Sequence, residues 1–169
     1  PLGVGIITTA FKGGVGEIAH LERAAETMAM LNQRAARVMQ HVGVHAATDI
    51  TGFGLLGHSS EMAALSQVEL RFYFSRLPFL EGAQRYAREW LFPAGANRNQ
   101  EHFGCGIAFA PKIPVEMQLL LFTPETSGGL LIAVPADRLD ELLTRCANAG
   151  QTAWHIGEVV AGNGIVVLP

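Results

Sequence analysis

The chain has 169 residues and a formal net charge of -3, with 49% apolar and only 16% charged residues. An acidic balance gives no support to nucleic-acid binding, which needs a basic face, and so few charges among so many apolar residues argue against extended disorder. No apolar run is long enough to cross a bilayer, no signal-peptide pattern opens the chain, and Cys105 and Cys146 are too few and too far apart for a disulfide framework or a zinc knuckle. The length suits a single compact domain over residues 1–169, and the cysteine usage points to a reducing cytoplasm. The low charge predicts that a partner domain or subunit covers part of the apolar surface. Pro1 enters a strand-like run with no initiator methionine, which reads as a cut inside a longer polypeptide.

In chain order, Gly3 to Thr9 reads as a buried strand and Gly13-Gly14-Val15-Gly16 as a flexible turn. Leu21, Ala25, Met28, Ala35, Met39 and Val42 recur at helical spacing, predicting one long amphipathic helix from about Glu17 to Val42, stopped by Gly43. A short strand at Val44 to Ala47 precedes a glycine-rich turn and a helix from about Leu55 to Leu65. Val68, Leu70, Phe72 and Phe74 alternate with Glu69, Arg71 and Tyr73, the clearest strand in the chain, ended by Pro78. A short helix is expected around Leu80 to Glu89. Pro93 to Pro114, rich in Gly, Pro and Asn and without periodicity, reads as a long loop with at most one short helix after Gln100. Val115 to Leu121 should be a short helix and Leu130 to Val134 a buried strand. Leu139, Leu142, Leu143 and Cys146 mark a helix ended by Gly150. Ala153 to Val160 and Gly164 to Leu168 are expected to form a terminal hairpin about Gly162-Asn163-Gly164. Strands and helices interspersed in this way imply an α+β domain, a mixed β-sheet packed with helices.

The most informative stretch is Asp49-Ile50-Thr51-Gly52-Phe53-Gly54-Leu55-Leu56-Gly57-His58. Gly52 and Gly54 lack a Cβ, so the backbone there can come close to a ligand, and the amides opening the next helix would favour an anion. An aspartate beside such a turn can hold a hard cation near phosphates. The alternative is a tight strand-to-helix turn in which Asp49 is a cap. Thr51, Gly52 and Gly54 have a structural reading as good as the functional one. Phe53 reads as a core or interdomain anchor and His58 as a hydrogen-bonded packing residue. A second stretch, Thr123-Pro124-Glu125-Thr126-Ser127-Gly128-Gly129-Leu130-Leu131, offers hydroxyls and amides at Thr126, Ser127, Gly128 and Gly129 to a phosphate, or else simply starts a buried strand. Gly13-Gly14-Val15-Gly16 has neither the spacing nor the ending of a phosphate-binding fingerprint, and Cys105 has no base near it in sequence.

Together these two stretches resemble the C-terminal half of the selenophosphate synthetase (selenide, water dikinase) family, within the aminoimidazole ribonucleotide synthetase superfamily. That family carries D-[IV]-T-G-F-G-L-L-G-H before a helix and, later, P-[QE]-T-S-G-G-L-L opening a strand. Pro1-Leu2-Gly3-Val4-Gly5-Ile6, His155-Ile156-Gly157-Glu158-Val159 and Pro93-Ala94-Gly95-Ala96-Asn97-Arg98-Asn99 are also similar to family segments. Thr123 and Glu125 depart from the more familiar D-P-Q form. The resemblance implies the fold of that superfamily's C-terminal domain, ATP and selenide as substrates, and selenophosphate, AMP and phosphate as products. It implies that Asp49 helps bind Mg²⁺, with the other protein ligands on an N-terminal nucleotide-binding domain absent from this chain; Arg98 or Asn99 either reaches toward the cleft or belongs to a solvated loop stabilised by its asparagine side chains. No catalytic residue is expected in these 169 residues, because the family's reactive cysteine or selenocysteine lies in the missing half. Homodimerisation of the full-length enzyme is a further implication, with no nucleic-acid or membrane partner. The rivals are another superfamily member, of the aminoimidazole ribonucleotide synthetase, thiamine-monophosphate kinase or hydrogenase-maturation type, and a non-catalytic binding module of the same fold. If both stretches serve one cleft, Asp49 and the Thr126 to Gly129 turn must flank a common surface, which requires antiparallel strands or a turn folded back over the sheet edge.

Overall fold

A computed structural model describes all residues, 1–169. In chain order the elements are α1 (Val4–Lys12), α2 (Ile18–Ala29), α3 (Gln33–Val42), β1 (Ala46–Asp49), α4 (Gly54–Ser66), β2 (Glu69–Tyr73), α5 (Ala83–Arg88), α6 (Ala94–Phe103), β3 (Ile107–Phe109), α7 (Val115–Leu120), β4 (Leu130–Ala133), α8 (Leu139–Asn148), β5 (Gly157–Val160) and β6 (Gly164–Leu168). The strands form two sheets, a four-stranded one in the order β3-β6-β2-β5 and a ribbon of β1 with β4. In the larger sheet β2 and β3 run parallel to β6, and β5 runs antiparallel to β2. The expected mixed α+β architecture is therefore present.

Alternation along β2 places Leu70 and Phe72 beside Ile165 and Val167 of β6, and all four are buried. This face joins Val4, Ile6 and Ile7 of α1, Leu55 and Leu56 of α4, Tyr86 of α5 and Leu120 to Phe122 in the main core. A second cluster, Val38, Val42, Leu142 and Cys146, packs α3 against α8 with Ile132 and Val134 alongside. The β1–β4 ribbon thus lies between two cores.

Four expectations fail. The run Gly3 to Thr9 is helical, not extended. Its β-branched residues suggest a strand, but Val4, Ile6, Ile7 and Ala10 share a face with exposure of 1% or less, and burial overrides a propensity worth tenths of a kcal/mol per residue. The predicted long helix breaks at Met30–Asn32 into α2 and α3. No Gly or Pro marks the break; Asn32, at the start of α3, caps nothing and donates its side-chain amide to the carbonyl of Gly128 at 2.9 Å. The stretch read as a long loop holds α6 and β3. Asn97, Asn99 and Gly95 are poor helix formers, so α6 carries no local signal and is held from outside. The terminal hairpin does not form, because β2 inserts between β5 and β6.

Candidate functional site

The two glycine-rich stretches meet. β1 and β4 pair antiparallel with Asp49 opposite Leu130, and the Ile50 N–H donates to the Gly129 carbonyl at 2.9 Å. One residue further on, the Glu125 N–H donates to the Thr51 carbonyl at 2.9 Å. The end of β1 and the start of β4 therefore share one sheet edge, as a common surface requires. Asp49, Gly52, Thr126, Ser127 and Gly129 are exposed there, while Gly54 and Gly128 are buried and Thr51 is half-buried. Ser127 holds a left-handed φ of 54°, uncommon for a residue with a Cβ.

Four expected contact residues serve the chain's own packing. An ideal Cβ on Gly54 (φ +69°) would lie 2.8 Å from backbone atoms of Phe122 and Thr123, and one on Gly128 would collide with the Ile50 carbonyl. Asn99, expected at the cleft, is 8% exposed and turned inward, its Nδ2 donating to the carbonyls of Gly52 and Phe122 at 2.9 Å each. Arg98 is exposed on the outside of α6. Thr51 Oγ1 lies 3.0 Å from His58 Nε2, which also accepts the Phe53 N–H at 3.4 Å. Because that N–H can only donate, Nε2 is the acceptor, the Thr51 hydroxyl hydrogen points at it, and Nδ1 carries the ring proton toward Glu61 Oε2 at 3.3 Å. His58 is thus a hydrogen-bonded packing residue. Phe53 is 43% exposed, its ring 5.1 Å from those of His58 and Phe103.

The start of α4 is not the open anion cradle that its glycines suggest. Gly54, Leu55, Leu56 and Gly57 are all buried, and the Leu56 amide is taken by the Leu121 carbonyl at 3.1 Å. Gly54 lets residues 121–123 close over that end. Asp49 caps nothing either: α4 has no side-chain cap, and the Asp49 carboxylate has no hydrogen-bond or ion-pair partner. It stands exposed and free to take a cation.

Gly52 and Gly129 differ from their neighbours. Neither has positive φ, and an ideal Cβ on either meets nothing within 4 Å. Nothing in this chain's own packing requires glycine at those two places, and the backbone there lies open to an approaching group. Gly54→Ala and Gly128→Ala are expected to lower the unfolding free energy by about 2–3 kcal/mol. Gly52→Ala and Gly129→Ala should change it by less than about 0.5 kcal/mol yet reduce turnover of the full-length polypeptide. Denaturant titration beside a rate assay separates the pairs; full activity in both exposed variants would remove Gly52 and Gly129 from the site.

In sequence, Glu125 is marked only by its departure from the more familiar family form. It is 3% exposed, and its two carboxylate oxygens accept the N–H groups of Gly3 at 2.7 Å and Val4 at 2.9 Å, the first amides of α1. Burial pushes its carboxyl up to about 7, against the opposing pull of those two amides. The buried Thr123 hydroxyl beside it has no partner.

Residues 2–168 match the family described as AIR synthase related protein, C-terminal domain. The chain belongs to that family. As an AIR synthase related C-terminal domain, it is 40% identical over 168 residues to the selenide, water dikinase of Carboxydothermus hydrogenoformans, which covers 99% of this chain and 49% of the relative. It is 43% identical over 145 residues to the selenide, water dikinase of Caldanaerobacter subterraneus, covering 86% and 42%. The chain thus spans about half the length of the curated relatives it matches. Among solved structures, E. coli HypE aligns with a TM-score of 0.71 at 18% identity, over 98% of this chain and 43% of that one. The thiamine-monophosphate kinase of Stenotrophomonas maltophilia aligns with a TM-score of 0.65 at 18% identity, over 98% and 47%. These last two likenesses bear on the fold alone.

Proposed function

We propose that this AIR synthase related domain is the C-terminal half of an ATP-dependent selenophosphate synthetase, forming one wall of its active-site cleft. The observation that carries the reading is the exposed, unpartnered Asp49 carboxylate set beside the Thr126 to Gly129 turn by the antiparallel β1–β4 ribbon. The names of its relatives supply the reaction class. Gly129 and Gly52 leave room for phosphate oxygens to approach the backbone, and the exposed Thr126 and Ser127 hydroxyls, free of partners in the chain, can donate to them.

The donor set fits a shared Mg²⁺ site. No cluster of three His, Cys, Asp or Glu side chains exists that could hold a metal by itself. Mg²⁺ keeps several waters and takes one or two carboxylates plus substrate phosphates, so a single carboxylate is a sufficient contribution from this half. When bound, the metal would neutralise charge on the transferred phosphoryl group. Selenide as the second substrate, a preceding nucleotide-binding domain and a homodimeric full-length enzyme rest on the family resemblance, and a cytoplasmic location on the cysteine usage. No helix is long and apolar enough to cross a membrane.

The isolated 169-residue chain is expected to fold but to form no AMP, since it has a complete core yet no nucleotide cradle. The test incubates it with ATP, magnesium and selenide in parallel with the full-length polypeptide that contains it. Selenide-dependent AMP from the full-length protein alone is the expected result; AMP from the isolated chain, or none from either, overturns the reading.

A further inference from the structure

Glu125 is the one carboxylate in the core, and it stands where three separate segments meet. Its side chain takes the first two amides of α1; its backbone N–H is bonded to Thr51, two residues after Asp49; its own chain continues directly into Thr126. Gly5 belongs to the same junction, since an ideal Cβ there would collide with the Pro124 carbonyl. The α1 entry and the segment ahead of the turn are thus interlocked by shape as well as by hydrogen bonds.

A helix start leaves its first amides without partners inside the helix, and α1 has no cap from Gly3 itself. The usual remedy is a local Ser, Thr, Asp or Asn. Here the acceptor comes from 121 residues away. A local cap would stabilise α1 equally well but would tie it to nothing, so the distant carboxylate does more than cap. It fixes the α1 entry relative to the surface that carries Asp49.

We propose that Glu125 is a positioning residue for that surface: its carboxylate clamps the α1 entry to the segment between Asp49 and the Thr126 to Gly129 turn, and so sets the placement of both. The inference rests on the functional reading above. Both carboxylate oxygens are engaged, so losing the polar head frees both amides at once. Glutamine, the residue of the more familiar family form, keeps one such acceptor, so the decisive variant is one that has no acceptor at all.

The test uses the full-length polypeptide carrying E125L, E125D (a carboxylate one methylene too short to reach both amides) and, as a control, L142A in the α3–α8 cluster. Hydrogen exchange at individual amides is read together with the magnesium concentration for half-maximal AMP formation. In E125L the amides of Gly3 and Val4, and those of Ile50 and Glu125 that bond to the carbonyls of Gly129 and Thr51, should exchange about tenfold faster, the equivalent of one lost hydrogen bond to a charged group, while α8 keeps the parental rates. The magnesium requirement should rise about tenfold, as when supports behind a metal ligand are lost. L142A should show the reverse, with faster exchange in α8 and an unchanged magnesium requirement. Should E125L fail to fold, E125D is read in the same way. Exchange accelerated evenly over the whole domain, or a parental magnesium requirement in a folded Glu125 variant, overturns the proposal. If the unmodified protein forms no AMP from ATP and selenide, the functional reading fails, and the exchange pattern alone decides whether Glu125 holds the turn.

Discussion

Asp49→Asn in the full-length polypeptide is expected to cut magnesium-dependent turnover about a hundredfold, with the unfolding free energy within about 0.5 kcal/mol of the parent. The split follows from the surroundings of the side chain. Asp49 is exposed, lies at the end of β1 and has no partner whose loss would cost stability. Asparagine keeps the size and the strand pairing, and removes only the anion that a hard cation requires. Turnover against magnesium concentration, alongside denaturant unfolding, checks both parts. A parental magnesium dependence would remove Asp49 from the metal site; a loss of stability as large as the loss of rate would make it a structural residue.

The second large effect is on stability against pH. The Glu125 carboxyl lies near 4.5 when unfolded and is raised to about 7 in the fold, chiefly by burial. Below 4.5 both states hold the proton and this contribution is fully present. Between 4.5 and 7 the unfolded chain releases the proton while the folded chain keeps it, so stability falls as pH rises; above 7 no more is lost. Across that window the loss amounts to about 3 kcal/mol. E125Q, with nothing to titrate, should lack this slope. The difference between the two stability curves of the 169-residue chain, measured by urea unfolding from pH 4 to 8, isolates it. Parallel curves would mean that water or a movement of α1 relieves the buried charge.

What the sequence revealed and what it concealed divide along the range of the forces involved. β2 was legible because alternation at Val68 to Phe74 is a local consequence of one face being buried, α8 followed from its own periodicity, and α4 and α7 lie where they were expected. The helix α1 was misread because its residues choose a conformation by what covers them, and the carboxylate that starts it lies far away in sequence. The α2–α3 break and α6 were missed for the same reason, since Asn32 and Asn99 act through bonds to Gly128, Gly52 and Phe122. At the site, Asp49 and the Thr126 to Gly129 turn were legible as motifs. Sequence could not sort the glycines, because Gly54 and Gly128 are required by backbone crossings while Gly52 and Gly129 are not.

The pairing of Asp49 with Leu130 makes the two motifs one part, for exchange between relatives as much as for chemistry. Successive strand residues point to opposite sides, so a single-residue insertion or deletion in β1 would turn Asp49 away from its surface, and one in β4 would shift the Thr126 to Gly129 turn out of register with it, even if every other residue were kept. A chimera that imports residues 44–57 from another branch of the family without residues 121–134 would also set a foreign Ile50 backbone against Gly128, and foreign Phe122 and Thr123 against Gly54. Neither motif is portable alone; the transferable unit is the ribbon with both of its ends.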